Sequence, residues 1–228
     1  MLSRIATKLV RAGPDRKTRL HDRKGHFVGR GIVELPPALV TWILLHLFGY
    51  RARRPWIPLA AARAIERVLT HDSRVLEFGS GMSTPWLARR CRLLVSIESA
   101  AAWAERVRPM LSGFSNVEYH VNEDEGAPAL AYPDGFFDLA IVDGLQRSAG
   151  MRAALPKVRP GGYIYLDNSD NSVSSDDTRY AEDELLRHAA GPPRYIVGFV
   201  PAALAPSEGL LVRLSGRSDT GSGIPDRE

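Results

Sequence analysis

The feature that most constrains this chain is a recurrence. Short apolar runs at residues 74–78, 93–97, 117–121, 138–142 and 163–166 alternate with stretches of helical periodicity at 83–90, 101–111, 148–158 and 178–189. A helix over 58–69 precedes them, and two further apolar runs, 195–199 and 210–214, follow. Alternation of this length predicts a mostly parallel sheet with helices on both faces, an α/β Rossmann-like architecture. Such sheets bind ligands beyond the carboxyl ends of their strands. Glu77, Glu98, Asp143 and Asp167 stand at or next to the ends of four of the runs. Carboxylates are costly beneath an apolar core, so four of them at four strand ends point to the edge of a polar cleft.

The segments flanking this pattern differ from it. Residues 1–54 carry twelve Lys/Arg and three Asp/Glu, a net of +9, whereas residues 55–228 net −5. This basic N-terminal extension holds an amphipathic pattern at 1–12 and an apolar helix over about 38–50, opened by Pro36-Pro37 and closed by Arg51, Arg53 and Arg54. Basic flanks beside an apolar helix suit a membrane surface as well as docking on the main domain. A basic arm also suits nucleic acid or an acidic substrate, and the plainest reading is a solvated tail. Residues 55–216 form the main domain, and the Ser/Gly/Asp-rich 217–228 read as a flexible tail.

Composition narrows the class. The single cysteine, Cys91, excludes a disulfide scaffold and a cysteine-only metal cluster. The longest apolar run, 38–50, is shorter than the roughly 18 residues that a span requires. A cytoplasmic chain, soluble or peripheral at a membrane, is the expectation.

The chemistry concentrates at Glu77-Phe78-Gly79-Ser80-Gly81. Glycines at the first strand–helix turn let backbone approach a ligand closely. A dinucleotide fingerprint requires a third glycine three residues after Gly81, and that position is Thr84. The turn therefore suits a nucleoside without pyrophosphate better than NAD or FAD. Glu98, ending the next run, is placed to accept hydrogen bonds from ribose hydroxyls.

Here the chain resembles the class I S-adenosylmethionine-dependent methyltransferases. The carrying residues are 77–81, Ser96-Ile97-Glu98, the 137–144 run ending Asp143-Gly144, and the 159–168 run ending Asp167-Asn168. The resemblance covers residues 58–214 and implies a seven-stranded sheet with five parallel strands and a terminal hairpin-like pair. It implies that Gly79, Ser80 and Gly81 line the cofactor, that Glu98 holds its ribose, and that Glu77 orients its amino group. The acidic stretch after the third strand is where the family reads adenine, and Asp124 is the candidate.

At the fourth strand the chain lacks the Asn/Asp-Pro-Pro-aromatic loop of many amide- and base-nitrogen methyltransferases. Asp143 with Asp167-Asn168 resembles metal-assisted O-methyltransferases, which implies Mg²⁺ on Asp143, Asp167 and Asn168; three oxygen ligands suit that ion. Those enzymes carry Ala and a downstream Lys where this chain has Gly144 and Arg147. Without an ion, Asp143 acts as general base or hydrogen-bonds a hydroxyl, and Arg147 pairs an anionic acceptor or Asp143. Asp143, Arg147 and Asp167 are thus the candidate catalytic residues, walled by the polar segment 169–177. The expected reaction is methyl transfer to an oxygen of a small molecule or a glycan- or lipid-linked acceptor. The alternatives are a methyltransferase-like binding module without turnover and a nucleic-acid methyltransferase using the basic arm.

Overall fold

A computed structural model describes residues 16–51 and 54–216. The expected helix at 1–12 and the tail at 217–228 lie outside the described residues.

The apolar runs are strands and the periodic stretches between them are helices. In chain order these are α1 (Leu35–Phe48), α2 (Leu59–Val68), β1 (Arg74–Phe78), α3 (Ser83–Ala88), β2 (Leu93–Glu98), α4 (Ala101–Leu111), β3 (Val117–Val121), β4 (Phe137–Val142), α5 (Arg147–Lys157), β5 (Val158–Leu166), α6 (Asp176–Arg187), β6 (Arg194–Phe199) and β7 (Pro206–Arg213). The seven strands form one sheet in the order β3-β2-β1-β4-β5-β7-β6. β1 to β5 pair in parallel, and β7 runs antiparallel between β5 and β6.

Alternation along the strands splits the core in two. Leu76, Phe78, Val95, Ile97, Ala140 and Val142 pack with Met151 and Ala154 of α5 and Ala181 and Leu185 of α6. Val75, Leu94, Leu139 and Ile141 pack with Ala61 and Ile65 of α2 and Trp86 and Leu87 of α3. Burial on both faces explains why the strands read as continuous apolar runs. The order reverses at β1, so β2 and β4 diverge from it and leave a crevice at their carboxyl ends, the switch point of such sheets.

Several bounds differ from expectation: the apolar helix starts at Leu35, β7 starts at Pro206, and two elements near the strand ends differ more. β5 begins at Val158 rather than Tyr163, because Pro160-Gly161-Gly162 is a bulged entry to the strand. The segment 169–177 is not an open polar loop: a 3₁₀ helix over Ser169–Val173 leads into α6, and Ser169 and Asp170 are fully buried.

The described part of the basic extension folds over the far edge of the sheet. The Arg23 backbone N–H donates to Asp170 Oδ2 at 3.1 Å. Lys24 Nζ donates to Glu182 of α6 at 2.6 Å and to buried Glu208 of β7 at 2.9 Å. His26 Nδ1 lies 3.2 Å from Asp22 and 3.1 Å from Glu208. β7 residues Ser207 and Glu208 extend past Leu166, the end of β5, so this strap lies at the carboxyl edge of the sheet, beside the crevice.

Candidate functional site

The glycine turn is wedged between the ends of β2 and β4. Gly79 has φ +85°, and a Cβ there would meet the Asp143 carbonyl oxygen at 2.5 Å. Both the left-handed conformation and the close approach require glycine. Nothing lies within 4 Å of a Cβ built at Gly81, so that side of the turn is open. Ser80 donates to Glu98 Oε2 through its backbone N–H at 2.9 Å and its hydroxyl at 2.8 Å, while Glu98 Oε1 accepts from the Ala100 N–H at 2.9 Å. Three of the roughly four acceptor positions of that carboxylate are therefore filled from within. The Ser80 hydroxyl also pairs with the Tyr119 hydroxyl at 2.8 Å, an alternative partner that frees Glu98 for another donor.

Trp103 was legible only as a helix residue, yet its indole N–H donates to the Ser80 carbonyl at 2.8 Å. The Arg51 guanidinium lies over both the Trp103 and Trp56 rings. Trp103 thus braces the turn, with Arg51, just after α1, lying over its ring.

Glu77 is fully buried under the turn. Its Oε2 accepts from the Ser96 hydroxyl at 2.6 Å; its Oε1 makes no well-formed hydrogen bond, although the Ser83 and Thr84 hydroxyls lie close enough to favour the carboxylate's charge. Burial pushes the Glu77 carboxyl up to about 7; hydroxyls of Ser83, Ser96 and Thr84 pull it down, and the Glu98 charge adds to the rise. A buried carboxylate oxygen without a well-formed hydrogen bond fits a cationic ligand group.

After β3 two adjacent acids point in different directions. Asp124 is exposed and closes its own turn, accepting from the Gly126 N–H at 3.0 Å. The neighbouring Glu125 is fully buried and reaches across the crevice floor. Its Oε1 accepts from the Ser99 hydroxyl at 2.7 Å and the Leu145 N–H at 3.0 Å, and its Oε2 has no partner. A side chain at position 144 would occupy the place of this carboxylate, so Gly144 makes the room. Of the two acids after β3, Asp124 thus faces solvent and Glu125 faces inward. The sequence signal was Gly144, which a reading of the acidic stretch alone could not use.

At the far end of the crevice β4 and β5 bring Asp143, Asp167 and Asn168 together, and Arg147 at the start of α5 stands among them. Its Nη2 donates to Asn168 Oδ1 at 3.0 Å and approaches Asp143 Oδ1 at 3.5 Å, and its Nε donates to the Asp167 carbonyl at 3.1 Å. The start of α5 is itself held by Asp177, which accepts from the backbone N–H groups of Arg147 and Ser148 at 2.8 and 3.1 Å. Asn168 is left-handed, at φ 50°, a conformation asparagine tolerates, and its amide donates to Ser207 at 2.9 Å. Buried Asp167 accepts from the Tyr165 hydroxyl at 2.8 Å.

This set does not fit Mg²⁺, and the expected metal site is corrected. The Arg147 guanidinium already takes Asn168 Oδ1 and approaches Asp143 Oδ1, where the ion would sit, and one Asp167 oxygen is taken by the Tyr165 hydroxyl. The built-in cation is weaker than a divalent ion, so the two carboxylates remain coupled. Burial raises Asp143 to about 6; Arg147 opposes the rise, and Glu77 and Glu98 add to it. Burial and the adjacent Asp143 charge hold Asp167 well above the usual carboxylate range. A third of the Asp143 side chain stays open to the crevice. The arrangement offers an accessible carboxylate beside a fixed guanidinium, suited to accept a proton and to hold a neighbouring oxygen or anion.

No protein-family model matches the chain, and no curated protein matches it by sequence. Solved structures do. The O-methyltransferase TomG from Streptomyces achromogenes, in complex with SAM, superposes with TM-score 0.52 at 21% identity, over 94% of this chain and 95% of that one. Cofactor-bound Rv0187 from MTB gives 0.52 at 24% identity, over 79% and 98%. The tRNA (m1A58) methyltransferase TrmI from Aquifex aeolicus gives 0.53 at 15% identity, over 76% and 75%. With its strand order, its glycine turn and the acids that end its strands, the chain has the class I S-adenosylmethionine-dependent methyltransferase fold.

Proposed function

We propose that the chain is an S-adenosylmethionine-dependent methyltransferase acting on an acceptor oxygen of a small molecule or of a glycan- or lipid-linked compound. The observation that carries the cofactor assignment is Glu77, a buried carboxylate with one oxygen lacking a well-formed hydrogen bond, directly beneath an open glycine turn. The positive amino group of the cofactor's methionine part supplies what that oxygen lacks. Gly79 and Gly81 would admit the chain of the ligand, Glu98 would hold its ribose hydroxyls, and Glu125 Oε2 would accept from its adenine amino group. When bound, S-adenosylmethionine supplies an electrophilic methyl group. This chain's own contribution is position, exclusion of water and proton acceptance.

The choice of oxygen rests on Asp143. With its carboxyl near 6 it is largely ionised at neutral pH, and it accepts the acceptor's hydroxyl proton as the methyl is transferred. Arg147 steadies the oxygen that loses that proton. The acceptor remains adjacent to Asp143 and Asn168, bounded by the Ser169–Val173 turn.

Calorimetric titration with S-adenosylhomocysteine, on the wild-type chain and on Glu98→Ala, tests this reading. Binding by the wild type and its loss in the variant is the expected result. Absence of binding to a folded wild-type chain overturns it. Product formation in an acceptor screen separates an active enzyme from a binding module.

A further inference from the structure

The extension exposes an apolar surface that the crevice does not use. Gly29–Phe48 is a continuous helical stretch of 20 residues, long and apolar enough to cross a membrane by length and composition. The 38–50 run fell short of that length because Gly29–Glu34 forms a 3₁₀ turn that leads straight into α1. Very little of the stretch is covered. Among the large apolar side chains exposed in the described residues, Val33, Val40, Leu47 and Phe48 are 73, 56, 71 and 73% accessible, and Leu39 and Tyr50 are exposed as well. Val40 and Leu47, seven positions apart, lie on one stripe of the helix. Ala38 is buried on another side, against Val28 and Phe199, and the Thr41 hydroxyl accepts from the Ala202 N–H at 2.9 Å. The helix is thus moored by one face and bare on the other.

The charges around it are sorted. Both acids of the described extension are hidden: Asp22 is fully buried and paired with the exposed His26, and Glu34 is 3% exposed and paired with Arg63. Lys17 and Arg30 before the helix and Arg54 after it are exposed, and Arg51, also exposed, lays its guanidinium over Trp56 and Trp103. The surface presented to the outside is therefore apolar in the middle, cationic at both ends and free of carboxylates among the described residues.

We infer that this face docks the protein on an anionic lipid surface, with α1 lying in the headgroup plane and its cations at both ends meeting lipid phosphates. An apolar strip flanked by Lys and Arg is the chemistry that an anionic bilayer complements. A patch this contiguous is unusual on a surface without a partner. A second copy of the chain fits less well. Two-fold pairing through this face would set the cationic ends of one helix against those of the other, with no exposed acid to neutralise them. Crossing the bilayer is disfavoured because Glu34 and Thr41 tie the helix to the main domain. The docked face lies beside the strap at the carboxyl edge of the sheet, so binding would bring the crevice near the membrane surface.

Sedimentation of the full chain with vesicles tests the inference, independently of any cofactor. Phosphatidylglycerol–phosphatidylcholine vesicles should bind it at least about tenfold more tightly than pure phosphatidylcholine, with the advantage falling as salt rises. Leu47→Glu with Phe48→Glu should abolish binding while leaving the thermal melt unchanged, because both side chains are exposed. Lys17→Gln with Arg30→Gln should remove much of the anionic preference without touching the apolar strip. Failure to bind anionic vesicles, equal binding to neutral ones, or a concentration-dependent dimer that Leu47→Glu dissolves would each overturn it.

Discussion

The Arg147 guanidinium donates to Asn168 Oδ1 at 3.0 Å, joining the first turn of α5 to the loop after β5 across the gap where β4 ends. That bond fixes a positive charge among the acids Asp143 and Asp167. A mobile cation there would have to be recruited, whereas this one is folded in.

Replacement of Arg147 should therefore expose the repulsion that it masks. Arg147→Met leaves Asp143 and Asp167 facing each other and should cost about 1–2 kcal/mol at neutral pH, the partial exposure of Asp143 keeping the figure below that for a fully buried pair. The loss should shrink as pH falls through about 6, where Asp143 takes up its proton. Denaturant melts across pH measure both. Millimolar Mg²⁺ should raise the melting temperature of the variant, whose three oxygens are now open, and leave the wild type unmoved. A matching rise in the wild type would return the metal to the site.

On the proposed reading, Glu77 should couple stability to cofactor binding. Its folded pKa, about 7, lies above the ordinary value of 4.5. A carboxyl raised in this way holds more protons folded than unfolded between those two values, so it subtracts stability as pH rises through that window. Glu77→Gln should then be more stable than the wild type by about 3 kcal/mol at alkaline pH, with no advantage at or below about pH 4.5. The same variant should bind S-adenosylhomocysteine at least about tenfold more weakly, since an amide cannot neutralise a cationic group. In the wild type, ligand affinity should fall as pH drops below about 7, because binding a cation to Glu77 requires the ionised form. Paired melts and titrations decide the matter; a variant that gains no stability would mean that the carboxylate is not desolvated.

The two glycines of the turn should separate fold from function. Gly79→Ala combines a left-handed φ with a Cβ 2.5 Å from a backbone oxygen, neither of which a side-chain movement relieves. A loss of roughly 3 kcal/mol or more is expected. Gly81→Ala meets nothing within 4 Å. Its melt should match the wild type, while the methyl group intrudes where the ligand passes and reduces affinity about tenfold. Thermal melts and calorimetry on both variants provide the check.

The parallel part of the sheet was legible because its strands are buried on both faces and therefore apolar throughout, as in Val75-Leu76 and Leu139-Ala140-Ile141-Val142. β1, α4 and β3 carry the bounds that their patterns suggested. The start of α1 was not legible because Pro36-Pro37 reads as a break, although proline fits the first turn of a helix, where no N–H is needed. Glu98 and Asp143 were legible as strand ends. The inward turn of Glu125 rather than Asp124 was not, because two adjacent acids differ only in which one turns inward, and that is set by the space at Gly144. The strap was hidden for another reason: Lys24 meets Glu208 across 184 positions of sequence, beyond the reach of any local pattern.

That long-range contact carries the last prediction. Lys24 bridges Glu182 and the fully buried Glu208, which also accepts from Ser169. Desolvation opposes the charged amine, but its bonds to the two carboxylates prevail and raise its pKa, so Lys24 remains a cation throughout the physiological range. Lys24→Met should leave two carboxylates without their main partner and cost on the order of 2 kcal/mol at neutral pH. Lys24 also lowers the pKa of Glu182 against the effect of burial. A depressed folded pKa contributes stability that is present above the ordinary glutamate value and lost as pH falls through the folded one. The gap between wild type and variant should accordingly be widest near neutrality and close in acid, as Glu182 protonates. Limited proteolysis should follow the same order, with cleavage in residues 16–34 faster in the variant because the strap loses its tie to the sheet edge. Equal proteolysis of the two proteins would mean that Asp22, Asp170 and His26 hold the strap without the lysine.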